Sequence, residues 1–391
     1  MPTTETTAPN SKIPIRLGFI GLSAKGWAAS ALAPSLLDPK VRERYKLTAI
    51  ATTSAESAAA AAEKYSELFG HEIKAYHDVD QLAGDLEVDF VAIAVSPLHH
   101  KSVTEKVIAH GKPFFLEWQS GKTFEETKEL ARLAREKGVK SFIGLQGRQS
   151  NVITKVKGIL DSGKVGRILS VNVNLLKPLE MNVLAPNCIE QYAWVVDRSN
   201  GVTILSSLGH FFDNFCQVLG PFSRVSAKGT TLFPTINVVD NTTFKPTGKR
   251  LESQFPDHFT VTGILKESGA WVTITSRLGH PSTPGRTQLL WEIDGDAGSV
   301  RIEDKRLGAS HVNVRDPEHI FLNGEEVPWN VDEDGEKFDD RTPFLAKAWL
   351  EFSKGKEGGG NFVDIEEAVR HRELMDSIER SLFEGGKWID V

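Results

Sequence analysis

The sequence has very few cysteines, and this argues against two kinds of site. Only Cys188 and Cys216 occur among the 391 residues. They provide neither a disulfide framework nor the paired spacing of a metal site, and we interpret them as reduced thiols of a cytoplasmic protein. The adjacent His99 and His100 do not restore a metal site, because neighbouring ligands point apart and no carboxylate accompanies them. We therefore expect no bound metal.

Basic runs and long apolar runs are also missing. The net charge is -6, whereas a nucleic-acid surface needs a concentrated basic face. No apolar run approaches the roughly 20 residues that a membrane helix requires. Residues 1–12 are rich in Thr, Ser and Pro without an apolar core, which predicts a short disordered tail and not a signal peptide. We expect a globular cytoplasmic protein that binds neither nucleic acid nor a membrane directly.

The chain begins its folded part with an apolar run, Ile15–Gly21, followed by a segment of helical composition. Gly21, Ser23 and Gly26 occupy the three small-residue positions of the dinucleotide fingerprint G-x-G-x-x-G. Gly21 allows a sharp turn, Ser23 is small enough for the backbone to approach a pyrophosphate, and Gly26 lets the helix pack closely on the strand. The helix N-terminus then offers unpaired N–H groups to the phosphate. We predict a nicotinamide dinucleotide here, held by Gly21, Leu22, Ser23, Lys25, Gly26 and Trp27.

Alternating strands and helices continue after this turn. Strands are predicted at Lys46–Ala51 and Val88–Ser96 and in the segments "PFFLEW" and "KSFIGLQ". Helices are predicted at Ser54–Phe69, Lys101–His110 and Thr123–Lys137. This alternation predicts a doubly wound parallel α/β sheet of the Rossmann type, over residues 13–148.

The end of the second strand bears on the choice between the two nicotinamide cofactors. An acidic residue there binds the ribose 2′-OH of NAD and repels the extra phosphate of NADP. This sequence has Thr52, Thr53 and Ser54 instead. Hydroxyl groups can donate to a phosphate, although no arginine stands beside them. We therefore expect NAD(P), with NADP slightly favoured.

The pattern changes after Arg148. Leu169, Val171, Val173 and Leu175 alternate with polar residues, a period of two that indicates a half-buried antiparallel strand. Further strands are predicted at His258–Lys266, Gly269–Leu278, Thr287–Gly295 and Gly298–Asp304. Residues 149–391 are thus predicted to form an α+β domain with an open, mostly antiparallel sheet.

Several short motifs resemble the glucose–fructose oxidoreductase/inositol dehydrogenase (Gfo/Idh/MocA) family. They are "SPLHH", "GKPFFLEW", "GLQGR", "GHFFD" and the closing "IEEAVRHRELMDSIERS" at 365–381. The resemblance implies that this closing helix packs back on the first domain and that the open sheet face pairs two chains as a homodimer. It also implies cofactor contacts from Ser96, Pro97, His100, Glu117, Gln146 and Arg148.

The resemblance also shows where the catalytic residues differ. Catalytic family members move the hydroxyl proton with the lysine of a Glu-Lys-Pro motif and with an Asp and a His four residues apart. Here Trp118 replaces the lysine and Ser206 the aspartate, while His210 remains. We expect His210 to be the best remaining proton donor, because histidine titrates near neutral pH. Trp118 could stack on the nicotinamide or gate the pocket, with core packing as its alternative.

Three other residues are weaker candidates for the proton-transfer role. Lys177 or Tyr192 could replace the lost lysine, although each is more often a surface residue. His258 could approach the pocket, but we favour the view that it simply opens a strand.

Three functions remain open. The first is an NAD(P)-dependent oxidoreductase with an altered proton relay, acting on a small-molecule carbonyl, enol or imine. The second is a catalytically silent NAD(P)-sensing regulator, resembling the branch of fungal galactose-pathway repressors, which would act on a regulatory protein partner and could be nuclear. The third is a lyase or isomerase that uses bound NAD(P). The retained cofactor motifs favour the first.

Overall fold

A computed structural model describes residues 13–24, 26–201, 204–312, 315–329 and 343–391, without the side chains of residues 204–207. The tail at 1–12 and Lys25 therefore lie outside the described residues, as does the side chain of Ser206. No helix in the described ranges combines the length and the apolar character needed to cross a membrane.

The first part of the chain forms a six-stranded parallel sheet. Its strands are β1 (Ile15–Ile20), β2 (Tyr45–Ala51), β3 (Lys74–Tyr76), β4 (Phe90–Ile93), β5 (Phe114–Leu116) and β6 (Ser141–Ile143). They lie in the order β3-β2-β1-β4-β5-β6. Strands β4, β5 and β6 are buried along their whole length, as expected for a parallel sheet covered on both faces. The Rossmann fold predicted from the sequence is confirmed.

Helices cover both faces of this sheet. They are α1 (Ala33–Ser35), α2 (Pro39–Arg42), α3 (Ala55–Phe69), α4 (Val79–Gly84), α5 (Pro97–Ala109) and α6 (Phe124–Lys137). Helix α3 shows how local sequence fixes a boundary. Ser54 accepts a hydrogen bond from the Ser57 backbone in a capping box, and Gly70 ends the helix at φ 75°, a conformation that costs glycine little.

The second domain carries a nine-stranded sheet and a small three-stranded one. The further strands are β7 (Ile168–Lys177), β8 (Asn187–Ile189), β9 (Phe222–Thr230), β10 (Thr235–Val239), β11 (Pro246–Glu252), β12 (His258–Leu265), β13 (Trp271–Leu278), β14 (Leu289–Gly295), β15 (Ser299–Asp304), β16 (His319–Leu322), β17 (Glu325–Glu326) and β18 (Ile389–Asp390). The large sheet has the order β17-β16-β15-β14-β7-β13-β12-β9-β18, and the small one the order β11-β10-β8.

The large sheet is mostly antiparallel, as predicted, with one exception. Strand β7 is antiparallel to β14 but parallel to β13, so the prediction that β7 is a purely antiparallel strand is wrong on one side. Val171, Val173 and Leu175 are buried, whereas Leu169 is 44% exposed. The alternation therefore holds in the middle of the strand and fails near its beginning.

The remaining α-helices follow the first domain in the chain, and two of them, α9 and α10, pack back on it. They are α7 (Asn151–Asp161), α8 (Ile204–Leu219), α9 (Pro343–Lys354) and α10 (Ile365–Phe383). Helix α10 packs against α6 of the first domain as well as against α8 and β9. Helix α9 also joins the first domain, which the sequence did not indicate: Trp349 lies in its core and donates a 3.0 Å hydrogen bond to Ser35.

Candidate functional site

The order of strands places a crevice between the carboxyl ends of β1 and β4. The connections after these neighbouring strands run in opposite directions along the sheet, which is where doubly wound sheets bind nucleotides. Gly21 follows β1 with φ 91°. A Cβ added to it would lie 2.5 Å from the carbonyl oxygen of Ala94, the residue after β4. Glycine is therefore required on both counts, and the turn fits the phosphate turn of a dinucleotide.

The other fingerprint residues take different roles. Leu22 is fully buried in the core of the first domain, so only its backbone can face a ligand. The Ser23 carbonyl accepts a 3.0 Å hydrogen bond from the Tyr65 hydroxyl, which fixes the turn. Gly26 has φ 98°, yet a Cβ there would meet nothing within 4 Å. The expectation that Gly26 permits close helix–strand packing is wrong; its positive φ is the reason for glycine.

A buried carboxyl group connects this turn with the next strand. Trp27 donates a 3.1 Å hydrogen bond from Nε1 to Glu117, which follows β5. The Trp118 backbone N–H donates a second, also of 3.1 Å, to the same carboxylate. Burial is the larger effect, and it raises the pKa of Glu117 to about 7 despite these two donors. Near neutral pH the Glu117 carboxyl group therefore populates both its protonated and its ionised form.

Hydroxyl groups surround the end of β2. The Thr52 and Ser57 hydroxyl oxygens lie 2.6 Å apart, and Thr52 also contacts the Ser54 carbonyl at 3.3 Å. Thr53 and Ser54 are exposed. The network belongs to the cap of α3, and it brings hydroxyl groups but no carboxylate to the position that selects the cofactor.

The segment after β4 begins helix α5. Ser96 is exposed and Pro97 is buried in the first turn. His100 is buried, with Nδ1 2.7 Å from the Gln119 carbonyl and Nε2 3.0 Å from the Val95 carbonyl. Both nitrogens thus contact the backbone, and burial lowers the pKa of His100 to about 4. His100 holds the loops after β4 and β5 together, and we no longer expect it to contact the cofactor.

Gln146 and Arg148 lie where the chain leaves the first domain. Gln146 is buried, and its Oε1 has no hydrogen-bond partner among the described residues. Arg148 forms ion pairs with Asp213 at 2.8 Å and with Glu367 at 3.1 Å. Because its guanidinium is taken up by carboxylates of α8 and α10, we expect Arg148 to fix these helices and not to bind cofactor.

Trp118 packs against the second domain. A Cβ added at Gly209 of α8 would lie 2.7 Å from Cζ2 and Nε1 of the indole, so only glycine allows this approach. On α10, the His371 ring lies with its centroid 5.0 Å from that of Trp118. His371 in turn contacts the Gly209 carbonyl at 2.8 Å through Nε2. The tryptophan that replaces the family lysine is therefore fixed between the two domains.

Gln119, in place of the family proline, extends this junction. Its side chain donates to the Gly201 carbonyl and accepts a 2.8 Å hydrogen bond from Arg372 of α10. Arg372 also donates to the Lys122 carbonyl at 3.0 Å. Neither Arg372 nor His371 was indicated by the sequence, because their contacts join distant parts of the chain. Arg372 and its partner Gln119, for example, are 253 residues apart.

His210 lies near two basic residues: Lys177, which the sequence offered as one substitute for the lost lysine, and His371, which the sequence did not indicate. Lys177 and His371 both interact electrostatically with it, and Lys177 and His210 act in the same way on His311. Burial lowers the pKa of His210 to about 4, so the expectation of a near-neutral titration is wrong. At neutral pH this ring is uncharged, and its Nδ1 has no partner among the described residues.

Lys177 differs from its predicted surface position. It is 1% exposed, at the end of β7, and burial lowers its pKa to about 8. Tyr192 is on the surface, 38% exposed. His258 opens β12 and contacts Asp257 at 2.7 Å and His280 at 3.0 Å, consistent with a local role. Within the described ranges, no group of three or more His, Cys, Asp or Glu side chains could hold a metal ion.

Two family models match consecutive parts of the chain. The model of an oxidoreductase family with an NAD-binding Rossmann fold matches residues 15–145. The model of the Gal80p C-terminal domain matches residues 151–304.

Relatives of known name include both enzymes and regulators. Dehydrogenase aclE of Aspergillus oryzae is 29% identical over 385 residues, which are 95% of this chain and 97% of that protein. The galactose/lactose metabolism regulatory protein GAL80 of Saccharomyces cerevisiae is 25% identical over 342 residues, covering 83% of this chain and 76% of that protein.

Solved structures have the same fold. A super-repressor mutant of Gal80p from Saccharomyces cerevisiae superimposes with a TM-score of 0.83 at 20% identity, covering 97% of this chain and 98% of that one. The WlbA dehydrogenase of Chromobacterium violaceum, solved with NADH and UDP-GlcNAcA, gives 0.69 at 18% identity and covers 99% of both chains.

Proposed function

We propose that this chain, which belongs to the Gfo/Idh/MocA oxidoreductase family through its Rossmann domain, is an NAD(P)-dependent oxidoreductase acting on a small-molecule carbonyl, enol or imine. The observation that carries the proposal is the crevice between β1 and β4. It combines the turn at Gly21 with the titratable Glu117. Trp118, the residue after Glu117, packs against Gly209, the neighbour of His210 on α8. A dehydrogenase that matches nearly the whole chain supports it.

The residues present fit a nicotinamide dinucleotide, which would supply the hydride. The turn at Gly21, the half-buried Ser23 and the exposed Trp27 would hold its phosphates. Glu117, with a pKa raised to about 7 by burial, can gain or lose a proton beside the nicotinamide end of the crevice. Trp118 would exclude water from the reacting atoms, since its indole is held against α8 and α10.

The retained histidine has a modified role in this proposal. His210 is uncharged at neutral pH, so it would position the substrate oxygen by a hydrogen bond and would not act as a cationic acid. The Arg148–Asp213 pair, at 2.8 Å, holds α8 and thereby His210. Positioning of this kind contributes to catalysis only if the helix is rigid.

We also propose that two chains pair through the open face of the large sheet. Strands β12 and β13 are buried on alternate residues only, and Trp271 on the other face is 51% exposed. Sedimentation equilibrium is expected to give the mass of two chains; the mass of one chain at micromolar concentration would refute the pairing.

Cofactor preference gives the first testable prediction. Thr52→Asp should raise the Kd for NADPH by about tenfold or more relative to NADH, because a carboxylate at the end of β2 repels a 2′-phosphate. Titration by tryptophan fluorescence measures both constants. Thr283→Asp, at an exposed position of the second domain, controls for the added charge. A wild type that already binds NADH far more tightly than NADPH would refute the preference for NADP.

A second candidate function is a catalytically silent regulator. The second domain matches the Gal80p C-terminal model, and the family lysine is replaced by Trp118. Such a protein would bind NAD(P) and use it to control a contact with a regulatory protein.

One pair of experiments separates the candidates. The purified protein is incubated with NADPH or NADH and a panel of ketones, aldehydes, enones and imines, and cofactor oxidation is followed. In parallel, the immobilised protein is exposed to cell extract with and without cofactor. Turnover of a panel member supports the oxidoreductase; complete inertness together with cofactor-dependent capture of a protein supports the regulator and contradicts our proposal.

A further inference from the structure

We propose that Lys177 is the proton-transfer residue of this site, in place of the family lysine whose position Trp118 occupies. The inference rests on the proposed oxidoreductase function. It places the residue that gives its proton to the substrate in the second domain, whereas the lysine of the family's Glu-Lys-Pro motif lies in the first domain.

The position of Lys177 in β7 is the first argument. Lys177 has the same parity as Val171, Val173 and Leu175, so its side chain lies on the buried face of the sheet that helix α8 covers. It is 1% exposed and occupies the last residue of the strand. A lysine is almost never fully buried unless it is paired. The same face of β7 carries Val173, in one core cluster with Phe212 of α8, and Gly209 of that helix packs against Trp118.

The second argument is the set of titratable groups around Lys177. Its charge acts on His210 of α8 and on His311 in the segment after β15, and Arg315 acts on His311 as well. The carboxylate that acts on His210 is Asp213, which Arg148 binds at 2.8 Å. Because Arg148 pairs with Asp213, Lys177 and Arg315 leave the cluster with a positive charge, although the whole chain has a net charge of -6.

These neighbours also determine the state of each group. Burial lowers the pKa of Lys177 to about 8, and the pKa values of His210 and His311 to about 4 and about 3. At neutral pH both histidines are therefore uncharged, and Lys177 is the group of the cluster that titrates closest to the working range. A general acid is most effective when its pKa lies near the operating pH.

The chemical step balances with Lys177 as the acid. A bound reduced nicotinamide would supply a hydride to the carbonyl carbon, and the electron pair of the C=O π bond would move to oxygen. That oxygen takes a proton from the Lys177 ammonium, which becomes an amine and is protonated again from water. The overall reaction consumes one carbonyl, one NAD(P)H and one proton and releases one alcohol and one NAD(P)⁺.

The charge of the cluster narrows the substrate class. A basic pocket stabilises an oxygen that becomes negative as the hydride arrives, and it disfavours a protonated imine, which is already cationic. Of the three substrate types proposed above, the carbonyl compounds fit this site best.

The test compares Lys177→Met and Lys177→Arg with the wild type, using a ketone or aldehyde that the wild type reduces. We expect Lys177→Met to lower kcat by about 10²–10⁴-fold, the usual contribution of acid–base catalysis, and to remove the fall in kcat near pH 8. Arginine keeps the charge but does not release its proton, so Lys177→Arg should restore part of the affinity for substrate and little of kcat. Lys266→Met, at an exposed lysine directly after β12, is the matched control.

Two measurements guard against a purely structural effect. The NADPH affinity and the thermal unfolding midpoint of both variants should stay close to those of the wild type. An NMR titration of the protein with ¹³C at the lysine Cε atoms, in the absence of substrate, should give the Lys177 signal, assigned by its loss in Lys177→Met, a titration midpoint near pH 8. An ordinary lysine midpoint near 10.4 would overturn the inference.

The experiments distinguish a failure of the inference about Lys177 from a failure of the proposed function. A wild type that reduces a carbonyl, with Lys177→Met retaining its kcat and its pH profile, overturns the role of Lys177 alone. A wild type that is inert towards the whole panel overturns the proposed function, and the inference with it.

Discussion

Gly21→Val is expected to abolish saturable NAD(P) binding. A Cβ at this position would lie 2.5 Å from the Ala94 carbonyl oxygen, so the ends of β1 and β4 would have to separate where the pyrophosphate should lie. The backbone at φ 91° adds strain for a β-branched residue. Crowding of this kind costs about 1–3 kcal/mol and a strained backbone of order 1–3 kcal/mol more. Fluorescence titration and thermal unfolding measure the two effects.

A matched control separates the effect of backbone strain from the effect of a valine inside the crevice. Gly70→Val places valine at φ 75° with no atom within 4 Å of the new Cβ, at the end of α3 and away from the crevice. It should reduce stability and leave the NAD(P) affinity unchanged. Gly26→Val, at φ 98° in open space, should weaken binding through the backbone alone. Unchanged affinity in both Gly21→Val and Gly26→Val would contradict the assignment of the turn.

His210→Ala is expected to lower kcat by about 10²–10³-fold, the usual cost of removing one hydrogen-bond donor to the reacting oxygen, with the affinity for NAD(P) little changed. The charge of Lys177 acts on the ring, and its buried Nδ1 has no partner among the described residues, so we expect a substrate oxygen to become that partner. Because the pKa of His210 is lowered to about 4 by burial, its removal should not eliminate a pH transition between pH 6 and 9. Steady-state kinetics across that range measure both effects.

Substitution by a neutral amide gives the sharper comparison. His210→Gln can still donate and accept hydrogen bonds, and it should recover more of kcat than His210→Ala. His319→Ala, at a partly exposed histidine of β16, is the control. A loss of the alkaline pH limb in His210→Gln, with Lys177 intact, would show that His210 and not Lys177 carries the proton.

The architecture could be predicted from the sequence because its signals are local. The glycine turn, the alternation of strands and helices and the cap at Ser54 each depend on a few neighbouring residues. The parallel pairing of β7 with β13 could not be predicted in this way. An alternating pattern reports which face of a strand is buried and carries no information on the direction of its neighbour.

The candidate site could be predicted only in part, for a related reason. Arg148 was expected to bind cofactor, but Asp213 and Glu367 take up its guanidinium, a contact between residues far apart in the chain. His371, Arg372 and His311 reach the site by the same kind of long-range packing, and no local pattern marks them.

Lys177 is the exception, because the sequence does contain a signal for it. The alternation that placed Val171, Val173 and Leu175 on the buried face continues in phase to Lys177. Extending the pattern by two residues would have placed a lysine on the buried face. The expectation that Lys177 lies on the surface relied on the average behaviour of lysine. The alternation of buried and less buried residues along β7 was the better predictor of its burial.

Transfer of deuterium tests the central claim most directly. The protein is incubated with NADPH that carries deuterium at one face of nicotinamide C4, together with a ketone or aldehyde that it reduces, and the product alcohol is analysed by mass spectrometry. An oxidoreductase of this fold should transfer the label from one face only, to the former carbonyl carbon, and Gly21→Val should abolish the transfer. Products without label from either face, or no product from any substrate while NAD(P) binds tightly, would contradict the account.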